Sequence, residues 1–148
     1  MSNKIVIESL KSWENTNEGI GQSIKNFFNN TYANFNQEIW NYEDEVYKKE
    51  SKNCGSIFHL DYIARLKVII CRKYAELKAN EKVINYIKSN SKRVINSVKD
   101  EKVKKDVEEG VKYVLKEYTQ LYDICKDEIK IKELRLKQEL KFQKKYNF

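Results

Sequence analysis

Leu60-Asp61-Tyr62-Ile63-Ala64-Arg65-Leu66-Lys67-Val68-Ile69-Ile70 opens a run that continues to Val98. Along it Ile63, Leu66, Ile70, Leu77, Ile84, Ile87, Val94 and Val98 recur at steps of three, four and seven. That spacing lays one apolar stripe along a helix. Lys73, Asn80 and Ser91 fall in the same stripe and are polar, so the seam is interrupted, and a long unbroken coiled coil is not expected. At about 1.5 Å per residue the stretch would be close to 60 Å long, more than a compact domain of this size needs. The helix must therefore bend, break or protrude.

Upstream, Ile24, Phe28, Tyr32, Phe35, Ile39, Tyr42 and Val46 alternate at steps of four and three, which predicts a helix over 21–52 with an aromatic face. Phe28, Phe35 and Ile39 on that face are expected to pack against the next helix or an outside partner. Asn53-Cys54-Gly55 supplies a stop and Ser56 an N-cap, so the 21–52 helix and a basic helix over 57–98 form a hairpin. Val6, Leu10 and Trp13 predict a short helix over 3–14, followed by a loop rich in Asn and Gly. Ser89-Asn90-Ser91 and Lys99-Asp100 are candidate kinks or turns. Beyond them Asp100 is a candidate N-cap, and Val103, Val107, Val111, Val114, Tyr118, Leu121 and Cys125 mark a third stripe in a helix over 101–146. Gly110 interrupts this stripe at a cost of about 1 kcal/mol relative to Ala, a weakness that close packing would explain. From Ile129 the apolar pattern drifts and the charges multiply, as expected of a projecting helix in which Glu128 and Glu133 pair along the chain with Lys132 and Lys137.

The 148 residues suffice for one domain, 1–148, that buries about two thirds of its unfolded surface. With no Pro, four Gly and 34% charged residues, the expected fold class is all-α, an antiparallel hairpin or bundle of long amphipathic helices. No run is long and apolar enough for a membrane span, and no leader or transit peptide is legible. Residues 1–50 hold five Lys against eight Asp and Glu, a balance of −3 that leaves +10 of the net +7 on the remainder. That remainder would attract an acidic protein, a nucleic acid or an anionic membrane surface. Cys54, Cys71 and Cys125 are odd in number and widely spaced, which suggests reduced thiols and a reducing intracellular compartment, cytoplasmic by default.

No catalytic or cofactor motif stands out, so neither an enzyme nor a metal or nucleotide site is expected. The lone His59 lies near Cys54 without a family signature, and Glu43-Asp44-Glu45 and Glu108-Glu109 read as solvated helix faces. Lys88, Lys92, Lys99, Lys102 and Lys105 are the candidate polyanion contacts. Only Arg65, Arg72, Arg93 and Arg135 could read bases in the bidentate manner of arginine, so nucleic-acid binding would be directed mainly at phosphate.

Val83-Ile84-Asn85-Tyr86-Ile87, then Ser91-Lys92-Arg93-Val94-Ile95-Asn96-Ser97-Val98, then Lys102-Val103-Lys104-Lys105-Asp106-Val107 resemble the matrix-side C-terminal part of the mitochondrial F-type ATP synthase peripheral-stalk subunit b. The likeness covers about residues 60–120. It implies a scaffold on the matrix side of the mitochondrial inner membrane, with Tyr86, Ile87, Val94, Ile95, Val98, Val107, Val111 and Val114 packing against other subunits. The family's N-terminal membrane anchor has no counterpart in the first 50 residues. Long amphipathic helices with polar breaks also suit a small phage or bacterial adaptor. The expected function is thus a non-catalytic scaffold in a larger protein complex, with a basic nucleic-acid-binding module as the alternative.

Overall fold

A computed structural model describes residues 31–146. Phe28 and the 3–14 helix expected from the sequence lie outside the described residues. Three helices follow one another: α1 (Ala33–Ser51), α2 (Tyr62–Asn96) and α3 (Glu101–Tyr146). Among the described residues there is no strand, and the all-α fold expected from composition is what the chain adopts. Antiparallel to both of its neighbours, α2 packs against α1 and α3, which also meet where Tyr32 reaches Gly110. Arg93 reaches Glu38 at 2.8 Å and Lys82 reaches Glu50 at 3.6 Å across the first pairing. Across the second, Cys125 Sγ donates to Lys73 O at 3.4 Å and Tyr74 Oη to Glu133 Oε1 at 2.7 Å.

The core is continuous through all three helices. It joins Tyr32, Phe35 and Ile39 to Val83, Ile87, Val94 and Val98, and these to Val103, Val107, Val111, Val114 and Tyr118. Each buried aliphatic side chain of this size contributes about 1.5–3 kcal/mol. Because α2 is covered on two sides, Ala75, Ala79 and Val83 are buried beside Leu66, Ile70, Ile87 and Val94, whereas Leu77 and Ile84 in the single stripe read from the sequence are only half-buried. The polar slots are accommodated. Lys73 pairs with Glu128 of α3 and Glu76 of its own helix, and Asn80 is buried.

Ser89, Asn90 and Ser91 do not break α2. Their side chains donate to Asn85 O, Tyr86 O and Lys88 O, satisfying themselves on the helix that carries them. The turn comes at residues 97–100, where Asp100 Oδ1 accepts from Lys102 N at 2.9 Å and caps α3 as expected.

The start of α2 differs from the expected 57–98 helix. Cys54 and Cys71 form a disulfide with their Cα atoms 5.6 Å apart. A helix begun at Ile57 would have carried Cys71 about 20 Å away from Cys54, so the chain instead runs back along α2 and starts the helix later. Asp61, not Ser56, is the N-cap, its Oδ1 accepting from Ala64 N at 2.8 Å. Ser56 Oγ accepts from Phe58 N, and Gly55 (φ 85°) and His59 (φ 61°) take left-handed conformations. Closing a loop of 17 residues in this way removes about 3 kcal/mol of unfolded-state entropy. The pair also replaces the expectation of three reduced thiols, and with it the argument for a reducing compartment that rested on them. Cys125 alone is free and buried, and burial pushes its thiol up to about 11, so it stays protonated and unreactive.

The weak point at Gly110 has a packing cause. Tyr32 lies against the Gly110 backbone and donates its hydroxyl to Gly110 O at 2.6 Å. A Cβ on Gly110 would stand 2.7 Å from Tyr32 Cε2, and Tyr32 is only 1% exposed, so the ring has nowhere to move. In an open helix Ala would gain about 1 kcal/mol over Gly, whereas overpacking here costs about 1–3 kcal/mol. Gly110→Ala is therefore expected to lower the unfolding free energy by about 1 kcal/mol in denaturant titration. A rise in stability would contradict the contact.

Candidate functional site

The residues expected to face partners are largely internal. Phe35, Ile39, Ile87, Val94, Val98, Val107, Val111 and Val114 are buried in this chain's own core, with Tyr86 and Ile95 packed against it. Tyr86 stacks on Tyr42 of α1, ring centroids 4.6 Å apart, and donates its hydroxyl to Glu38. Periodicity marks a side chain as apolar-facing without saying whose apolar surface it meets. Here α1 and α3 meet it first.

Large apolar side chains stay exposed elsewhere. On α3, Ile124, Ile131 and Leu134 are 53–67% exposed. Ile124 and Ile131 are rotated by roughly 100–160° around the helix from the buried Cys125 and Ile129, so α3 presents a second apolar row that does not face α2. Sequence reading registered this only as a drift in the stripe. Glu128 and Glu133 do not pair along α3 with Lys132 and Lys137 as expected but turn across to Lys73 and Tyr74 of α2.

The five candidate polyanion-binding lysines do gather in one region. Lys88 and Lys92 lie on the last turns of α2, Lys99 in the turn, and Lys102 and Lys105 at the start of α3, all of them exposed. None makes an ion pair among the described residues. Asp106 sits beside Lys102 and Lys105, and burial together with Glu109 raises its carboxyl despite them.

The candidate chemical groups are disposed otherwise. Cys54 is held in the disulfide, so no thiol is available beside the exposed His59. Among the described residues no group of His, Cys, Asp or Glu could hold a metal ion, and no helix is long and apolar enough to cross a membrane. Asp44 remains on a solvated face, paired with Lys48 at 2.8 Å.

Glu43 departs from the solvated face expected for it. It turns into the interface between α1 and α3, and its Oε2 finds no hydrogen-bond partner among the described residues. Burial raises its carboxyl above the ordinary range, partly offset by the Tyr118 hydroxyl from α3, while Glu76 of α2 and Asp44 raise it further. With the folded pKa above the unfolded one, the folded state holds the proton more tightly. Stability is then highest at acid pH with respect to this group and falls as pH rises through the ordinary carboxylate range and the raised value. Glu43→Gln is expected to raise the melting temperature at neutral pH, and the gap from the parent should close below about pH 4. A variant less stable than the parent at pH 7 would contradict this placement.

No family model, curated protein or solved structure matches the chain.

Proposed function

We propose that the protein is a non-catalytic helical scaffold, a subunit of a larger protein complex, that engages a partner helix through the outer face of α3. The observation that carries this reading is the second apolar row of Ile124, Ile131 and Leu134. Single exposed apolar residues are ordinary on any surface. Three large aliphatic side chains on one helix face, spaced by seven and three, form the pattern through which helices engage partner helices. The core-facing stripes are spent inside the chain, whereas this row stays exposed along α3. The stalk-subunit version of the role draws on the sequence resemblance over residues 60–120 alone.

The test uses exposed positions, because charged substitutions at Ile39 or Val94 would unfold the core. The parent should co-purify from its native source with a stoichiometric protein partner. Ile131→Asp combined with Leu134→Asp should lose that partner while its thermal unfolding is unchanged. Retention of the partner by the folded double variant would refute the reading.

A second reading, phosphate-directed binding of RNA or DNA, is favoured by one observation, the exposed cluster of Lys88, Lys92, Lys99, Lys102 and Lys105 around the α2–α3 turn. It requires affinity that falls steeply with salt. No measurable binding at low salt would dismiss it.

A further inference from the structure

We propose that the end of the molecule where α2 begins and α3 stops docks onto an anionic lipid bilayer surface. The surface is distinct from the outer row of Ile124, Ile131 and Leu134 and from the lysine cluster at the opposite end, and its residues come from two elements. Arg135 Nη1 donates to Tyr62 Oη at 3.2 Å, and Ile70 of α2 shares a groove with Leu136 and Leu140 of α3. These contacts bring the 55–61 loop, which leads into α2, to the same end as the last turns of α3.

That end exposes large apolar side chains from both elements. Phe58 is 76% exposed, and Leu60, Tyr62, Leu140, Phe142 and Tyr146 are between 36 and 52% exposed. The loop that carries Phe58 and Leu60 is held in place. The Cys54–Cys71 disulfide ties one side, Arg72 Nη2 donates to Gly55 O at 2.7 Å, and Asp61 caps α2 on the other. His59 takes a left-handed conformation between the two apolar residues, an uncommon backbone state for a non-glycine residue. These restraints fix the loop that carries Phe58 and Leu60.

The charge around these side chains selects the partner. From Leu134 to Tyr146 the chain carries Arg135, Lys137, Lys141, Lys144 and Lys145 against Glu139 as the one acid. Lys137, Lys141 and Lys144 border the groove of about 400 Å³ whose apolar lining is Ile70, Leu136 and Leu140, and the one acid in the lining, Glu133, accepts from Tyr74 Oη. An apolar surface rimmed by lysines is complementary to a membrane interface, where rings and aliphatic chains enter the acyl boundary and ammonium groups stay among anionic headgroups. A polynucleotide would use the lysines and stack a base on Phe58, and it would gain little from the aliphatic Leu60 and Leu140. An acidic protein would satisfy the charges and leave the same apolar side chains wet.

The full chain, incubated with phosphatidylcholine vesicles containing about 30% phosphatidylserine at low salt, should sediment with them, and far less with phosphatidylcholine alone. Phe58→Asp with Leu60→Asp keeps every lysine and should weaken binding roughly tenfold or more. Reversing Lys137, Lys141, Lys144 and Lys145 to Glu should weaken it by a similar factor. All six positions are exposed, and an unchanged thermal melt certifies each variant as folded. Failure to sediment with the anionic vesicles would overturn the proposal. So would vesicle binding untouched by the Phe58 and Leu60 changes, or equal binding to a single-stranded RNA oligonucleotide that those changes leave intact. Loss of the protein partner on changing Ile131 and Leu134 is a separate result, so failure there leaves this test standing.

Discussion

Burial of α2 on two sides at once is the constraint from which the rest of the structure follows. A helix with one neighbour needs a narrow stripe, whereas α2 has α1 along part of its length and α3 along nearly all of it. The buried arc must widen to include Ala75, Ala79 and Val83, and the small alanines let the neighbouring helices approach closely. With 19 residues in α1 against 35 in α2 and 46 in α3, three-helix packing among the described residues stops short of the far end. The Tyr32 hydroxyl on Gly110 O fixes where α1 sits along the hairpin, and so fixes where the third helix runs out.

Beyond that point the chain uses other means of holding itself together. The disulfide ties the connection between α1 and α2 back onto α2, and Lys73, Glu76 and Glu128 join α2 to α3 where an apolar stripe would otherwise run. Burial by itself would depress the Lys73 ammonium, and the two carboxylates more than compensate, leaving its pKa raised. Partly exposed pairs of this kind add little net stability. The outer face of α3 and the end of the hairpin keep apolar residues that these devices do not cover.

Much of this fold was legible in the sequence because helix periodicity is a local property. The stripes Phe35–Ile39–Val46 and Val103–Val107–Val111–Val114–Tyr118 are buried as their spacing implies, and Asp100 caps α3 where its position suggested. What escaped depends on contacts distant in sequence. Cys54 and Cys71 are paired by the path of a loop that no spacing rule specifies, and that path delays α2 to Tyr62. Glu43 sits among acidic neighbours that look solvated, yet it is drawn inward because α1 places it against Tyr118. The surfaces were the least legible part. Val94 and Ile131 are equally apolar in a sequence, and only the position of a neighbouring helix decides that one is core and the other exposed.

The central claim is that packing is uneven along the molecule, dense where three helices meet and thin along the end of α3. Backbone amide hydrogen exchange on the isolated full chain measures this residue by residue. Amides of residues 83–94 and 103–118 should be the slowest to exchange, and those of 131–146 should exchange faster by about a hundredfold or more. Protection of 131–146 equal to that of 103–118 would contradict the account.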